Sequence, residues 1–298
     1  MRRFAIILLI ATFIFTVSCT TENFDSSKTN SDTTNSTYIQ NKGSDTLVNL
    51  ALAWAEEYQR IHPDVEISVT GGGSGTGFTA LINGTIDIAN ASRQIKPEEI
   101  EQAQANGFEP VEFVVANDAI AVIVNRNNPI EELTLDQVAQ IYKGEVNNWN
   151  ELGGEDRPIV RLSRETNSGT HIYFLEEVIR LGSKEDKSIF SADTLLLPSS
   201  EGIISEVRDN PNAIGYDGLG YVTADVKTVA LAKQTGGDYI LPTVKTVLDL
   251  TYPISRSLFI YTRGNPTGAI QDYLTWILSS EGQAFTTKLG FVPVGGTE

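Results

Sequence analysis

The chain of 298 residues has one cysteine, two histidines and one methionine. A lone cysteine rules out an internal disulfide, and with it the disulfide scaffolds of small secreted domains. Two histidines, His62 and His171, are too few for a typical two-metal hydrolytic site, and no His/Asp/Glu cluster has metal-ligand spacing. Basic residues are also scarce: 22 Lys and Arg stand against 38 Asp and Glu, for a net charge of −16. Nucleic acid and anionic membrane surfaces need a basic face, so neither is expected as a partner. A small anion remains admissible, because a recessed site can hold one with local N–H dipoles and one or two arginines. After the first 19 residues no apolar run reaches membrane-spanning length. What is present, 41% hydrophobic and 20% charged residues, describes a soluble globular chain able to bury a large core as one or two domains.

The amino terminus is a targeting segment. Arg2 and Arg3 supply a positive start, Phe4 to Val17 are apolar apart from Thr12 and Thr16, and Ser18-Cys19 closes the stretch. It is short for a membrane span and carries signal-peptide flanks. The cysteine at the cleavage position resembles a bacterial lipoprotein signal, with Cys19 as the lipidated residue, although Thr16 replaces the usual leucine. A plain secretory signal is the alternative. Residues 20–37, rich in Ser, Thr, Asn and Asp, are predicted to be a disordered tether with an r.m.s. reach of roughly 25 Å.

From Tyr38 onward short apolar strands alternate with helical spacing, which predicts an α/β fold. Leu47, Leu50, Ala51, Trp54 and Tyr58 fall on one helical face behind the capping cluster Ser44-Asp45-Thr46. Val65 to Val69 reads as a strand, Phe78 to Ile82 as a short helix, Ile86 to Ala89 as a strand, and Pro97 to Ala105 as a charged helix. Val111 to Val124 is a long β-prone stretch, interrupted at 116–119. In the second half, strands are predicted at Pro158–Leu162, Ala213–Tyr216 and Leu258–Thr262. Helices are predicted at Leu135–Ile141, His171–Leu181, Ile203–Arg208, Ile270–Leu278 and Gly282–Lys288. The two long strands near 111–124 and 252–262 are the natural places for the chain to cross between lobes. Trp54, Trp149 and Trp276 read as packing residues, and His62, beside Pro63 in a turn, as exposed.

One tripeptide occurs twice where a strand gives way to a helix: Ser74-Gly75-Thr76 within Gly71 to Gly77, and Ser168-Gly169-Thr170 within Arg164 to Thr170. Hydroxyls and glycines at a helix start leave unpaired N–H groups facing outward, a ready anion site. Lys and Ser/Thr do not follow Gly77, so the first loop is no Walker A motif, and it has no dinucleotide-binding register. A tight turn needing glycine is the structural alternative. Arg93 and Arg164, each at a predicted strand end, are candidate charge partners, since a guanidinium suits a tetrahedral oxyanion.

These features together, namely Gly43-Ser44-Asp45-Thr46-Leu47, Gly71 to Gly77, Asp87 to Arg93, Arg164 to Thr170, Gly215 to Tyr221 and the closing Gly290-Phe291-Val292-Pro293-Val294, resemble the phosphate-binding proteins of ABC phosphate importers, the PstS-type family. The resemblance covers residues 38 to 296. It implies a two-lobed periplasmic-binding-protein-like (type II) α/β fold with two hinge crossovers. Lobe 1 would comprise 38–115 plus 254–298, and lobe 2 would comprise 116–253. It further implies Ser44, Asp45, Thr46, Ser74, Arg93, Arg164, Ser168, Gly169 and Thr170 as the phosphate-binding residues. Some members carry aspartate at the positions of Arg93 and Thr166, where the first accepts the proton of phosphate and the second pairs with the arginine. Asp45 is the candidate acceptor here, and a helix N-cap is its alternative role. The expected function is capture of inorganic phosphate and delivery to an ABC permease by an exported, membrane-anchored monomer. That protein would sit on the outer face of the cytoplasmic membrane or in the periplasm, with no cofactor, no metal and no enzymatic activity. The alternatives are a receptor for sulfate or molybdate, a surface adhesin or sensor, and a phosphate-ester hydrolase, for which Ser74 and Ser168 lack an evident base.

Overall fold

The computed structural model describes residues 36–295. The targeting segment with Cys19 and most of the tether lie outside the described residues. At the tether's end, Thr37 already belongs to the first strand.

The first half of the chain builds β1 (Thr37–Gly43), α1 (Asp45–Ile61), β2 (Val65–Thr70), α2 (Ser74–Ile82), β3 (Ile88–Ala91), α3 (Pro97–Ala105), the long β4 (Pro110–Asn125), β5 (Glu132–Thr134) and α4 (Leu135–Lys143). There follow β6 (Val160–Arg164), α5 (Gly169–Phe174), β7 (Leu195–Leu197), α6 (Ser200–Asp209), β8 (Ala213–Gly218), β9 (Val226–Thr228), β10 (Ala230–Ala232) and α7 (Val244–Leu248). The chain ends with β11 (Ser255–Arg263), α8 (Gly268–Ile277) and α9 (Ser280–Lys288). The principal sheet runs β2-β1-β3-β11-β4-β8-β6-β7, with β9 also on β4. β1 pairs in parallel with β2 and β3, as expected of strands linked by helices. β11 and β4 are antiparallel in the middle of the order. Among the described residues no helix is long and apolar enough to cross a membrane.

β4 is one strand of 16 residues, not two, and it joins the halves. Residues 110–119 pair with β11, and Ile120 to Val124 pair with β8. The break expected at 116–119 is absent; a separate irregularity skips Val115, where the register shifts between Leu258 and Phe259. Side chains alternate across the pleat: Ile120, Val122 and Val124 join one core cluster, while Ala121 and Ile123 join another. All five are fully buried, which is why this stretch reads as an unbroken apolar run.

α1 forms for the reason its sequence indicates. Leu47, Leu50, Ala51, Trp54, Ala55 and Tyr58 make a continuous buried stripe, with Trp54 Nε1 donating to the Gly282 carbonyl at 2.8 Å. Trp149 is buried in the second cluster and Trp276 packs half-buried on the first. His62 is exposed and stacks on Tyr58. The helix predicted over 171–181 is α5 followed by one π-turn at Leu175–Ile179. The short β5, β7, β9 and β10 carry three residues each, too few to show a period.

Candidate functional site

The two Ser-Gly-Thr loops meet. Gly75 N–H donates to the Asn167 carbonyl at 3.0 Å, and Asn167 Nδ2 returns a bond to the Gly72 carbonyl at 3.0 Å. Gly72 and Gly73 sit at φ 112° and 89°, a backbone region that side chains avoid. The turn therefore needs glycine at these positions, whatever else the loop does. Gly169 lies so close to the first loop that a Cβ there would come within 2.5 Å of Ser74 Oγ and 2.6 Å of Ser92 Oγ. Ser74 Oγ in turn accepts the Ser92 N–H at 3.0 Å, which ties α2 to the end of β3. In the second loop Ser168 caps α5, its Oγ accepting the Thr170 N–H at 3.2 Å. Thr170 Oγ1 and Thr46 Oγ1 are 2.8 Å apart. Ser44, Thr46, Ser74, Ser168, Gly169 and Thr170 are all buried.

Arg164, at the end of β6, is buried among oxygen atoms. Its Nη2 donates to Asp45 Oδ2 at 2.7 Å and to the Pro198 carbonyl at 2.8 Å. Its Nη1 donates to Ser200 Oγ at 2.8 Å and stands 3.7 Å from Asp217 Oδ2. Asp45 is held on both oxygens, because Oδ1 accepts the Gly72 N–H at 3.1 Å. Asp45 therefore fixes the arginine to the glycine-rich loop.

Arg93 follows Ser92 at the edge of this cluster and lines clefts with Gly75, Asn167 and Arg256. Its two terminal nitrogens grip Glu99 at 2.7 and 2.8 Å, and the guanidinium lies 4.8 Å over the Phe78 ring. This fork-on-carboxylate pair braces the start of α3.

A different arginine enters the cluster. Arg256 of β11 is directly opposite Asp118 of β4 in the register. Its Nη2 donates to Asp118 Oδ2 at 3.2 Å and to Thr170 Oγ1 at 2.9 Å, while Nη1 donates to the Ser92 carbonyl at 2.8 Å. One guanidinium thus touches both crossing strands, the end of β3 and the second loop. Among the described residues the Nε atoms of Arg93, Arg164 and Arg256 are all buried without a partner, donors that suit an anion. Burial pushes the Asp118 carboxyl up to about 6 against the pull of Arg256, and burial likewise raises Asp217 against the pull of Arg164.

His171 follows Thr170 and is buried beneath the second loop. Its Nδ1 meets Ser163 Oγ at 3.0 Å, its ring stacks on Phe190, and burial lowers its pKa, so it stays neutral. Among the described residues no group of three or more His, Cys, Asp or Glu side chains is arranged to hold a metal ion.

A family model described as a PBP superfamily domain matches residues 28–281. The phosphate-binding protein PstS of Pseudomonas aeruginosa is 36% identical over 273 residues, covering 86% of this chain and 83% of its own. The chain belongs to the PstS family. The PstS of Bacillus subtilis is 30% identical over 299 residues, covering 98% of this chain and 94% of its own. Among solved structures, a phosphate ABC transporter substrate-binding protein from Clostridium perfringens with bound phosphate superposes with a TM-score of 0.77 at 34% identity, covering 87% of this chain and all of that one. The two-lobed periplasmic-binding-protein-like α/β fold read from the sequence is therefore the fold of this PstS homologue.

Of the nine residues named from the PstS resemblance, eight gather around the meeting loops, and Arg93 lies beside them with its terminal nitrogens on Glu99. Sequence reading passed over Arg256, Asp217 and Ser92, and left Asp118 unassigned. A signal for Arg256 was available: it is a cation at the second position of a strand that continues Ser-Leu-Phe-Ile-Tyr, in a segment expected to cross between lobes. Asp217 lay inside the quoted Gly215–Tyr221 stretch without a partner to suggest its use.

Proposed function

We propose that this PstS homologue captures inorganic phosphate between two lobes and hands it to the permease of an ABC importer. The observation that carries the reading is the meeting of the two Ser-Gly-Thr loops around two buried arginines, Arg164 and Arg256, whose Nε donors lack partners among the described residues. The binding set is Ser44, Asp45, Thr46, Ser74, Arg164, Ser168, Gly169 and Thr170, with Arg256 as the second cation and Arg93 as a brace for the loop beside it. Hydroxyls, N–H dipoles and guanidinium donors replace the hydration shell of the anion. The lobes, 38–115 with 254–298 and 116–253, close on it because bonds from both sides form only together, which gives the closed form its differential affinity. A micromolar dissociation constant corresponds to about −8 kcal/mol, within reach of a handful of charge-assisted bonds.

The family is one of transport proteins that bind solutes, so binding without turnover is the expectation. A generic phosphomonoester left intact by the protein supports it, and hydrolysis above background refutes it. Export with a lipid on Cys19 would hold a monomeric body near the permease. Mass measurement of the mature amino terminus tests that reading. For the main one, the full-length protein stripped of anions is titrated with phosphate, with and without excess sulfate. Tight binding that survives sulfate is the expected result. Loss to sulfate would favour a general oxyanion receptor, and no heat with phosphate would reject the function.

A further inference from the structure

The cluster at the loops has an imbalance of charge. Two guanidiniums, Arg164 and Arg256, face three carboxylates, Asp45, Asp118 and Asp217. Asp45 is pinned and partly exposed, but Asp118 and Asp217 are fully buried. They flank Gly218, where a Cβ would fall 2.7 Å from Asp118 Oδ2. Asp217 Oδ1 accepts from Ser200 Oγ at 2.9 Å and from the Gly218 N–H at 2.7 Å, whereas its Oδ2 is buried with no hydrogen-bond partner among the described residues. A buried carboxylate oxygen without a donor is costly while ionised, and protonation turns it into a donor.

We propose that phosphate binding to this site takes up a proton from solvent onto the Asp118–Asp217 pair. The inference rests on the reading of the cluster as the phosphate site. An anion that settles against Arg164 and Arg256 adds negative charge beside two buried carboxylates already short of cations. The proton comes from buffer and rests on a carboxyl oxygen of the pair, the unpartnered Asp217 Oδ2 being the open position. No bond within phosphate breaks. The neighbours of the pair agree with this direction. Asp118 meets Arg256 from β11 and the Leu219 N–H from the turn after β8, and its charge raises the neutral phenols of Tyr173 and Tyr252, whose hydroxyls donate to the Ser255 and Ile120 carbonyls. Asp217 meets Arg164 from β6 and Ser200 from α6, and it pushes the Asp118 carboxyl further up. With Asp118 near 6 in the free protein, a modest further rise carries the pair across neutrality.

The test is calorimetric titration of the full-length protein with inorganic phosphate at pH 8, where the ligand is mostly the dianion already and brings little proton exchange of its own, in two buffers of widely different protonation enthalpy. The apparent heats should differ by an amount equal to a clear fraction of a proton, at most about one, taken up per phosphate bound. In Asp217→Asn the uptake should fall by at least half, and in Asp118→Asn it should fall likewise. Heats independent of buffer in the wild type would overturn the proposal, and that measurement does not depend on either variant folding. Undiminished uptake in both variants would place the proton on the phosphate and overturn it too. No binding heat in either buffer would instead remove the phosphate reading on which the proposal stands.

Discussion

The two Ser-Gly-Thr loops share a tripeptide and divide the work. The first copy shapes the site: Gly72 and Gly73 take conformations closed to other residues, and Ser74 is tied to Ser92. The second carries the charge, since Arg164 stands four residues before its serine and reaches Asp45 and Ser200. The arginine near the first copy, Arg93, looks equivalent in sequence but is engaged by Glu99. The missing cation arrives from the crossing strand as Arg256. A repeated motif therefore repeats a backbone geometry, while the side chains around it need not repeat their roles.

The sharpest way to break this comparison is Arg164→Ala. Removing a buried cation leaves Asp217 and the largely buried Asp45 uncompensated, at a cost of ~3–5 kcal/mol in stability. Phosphate affinity should fall by at least a hundredfold, read as loss of the phosphate-induced rise in melting temperature. An unchanged rise would mean that the second loop does not carry the charge. Next is Gly169→Ala, whose added methyl would sit 2.5 Å from Ser74 Oγ. Overpacking at a close approach costs about 1–3 kcal/mol, so closure and affinity should weaken by roughly ten- to a hundredfold. Gly75→Ala is the milder control, its methyl 3.3 Å from the Asn167 carbonyl. Equal affinities for the two variants would show that the loops need not meet to bind.

A third prediction concerns the hinge pair on which Arg256 depends. Burial raises the Asp118 carboxyl from 3.8 to about 6, so the folded chain holds that proton more tightly than the unfolded chain. Stability from this group is complete below pH 4 and is lost as pH rises through 6, an effect of roughly 3 kcal/mol at most. Asp118→Asn should flatten this part of the pH profile of urea midpoints between pH 4.5 and 7.5. A profile parallel to the wild type would place the proton elsewhere.

How much of this was legible beforehand follows from the range of each interaction. α1, β2 and α3 were readable because their signals are local: a helical stripe from Leu47 to Tyr58, alternation over 65–69, Pro97 at a helix start. The loops were readable because Ser, Gly and Thr act through their own backbone. Arg256 with Asp118 was not, because the two meet only through the register of β11 on β4, across 138 residues. The ion pair of Arg93 is the converse case, its partner Glu99 lying six residues away in a helix whose first turn invites acids.

Arg93→Ala gives the smallest expected effect on binding and separates the two arginines most cleanly. The change removes the fork on Glu99 and the stack over Phe78, worth about 1–2 kcal/mol together. Glu99 keeps a donor, because the Lys96 N–H bonds its Oε2 at 2.8 Å, so no buried carboxylate is orphaned. Melting temperature should fall by a few degrees while phosphate affinity stays within about threefold of the wild type. A loss beyond tenfold, approaching that of Arg164→Ala, would return Arg93 to the phosphate site and make the two loops equivalent in charge as well as in shape.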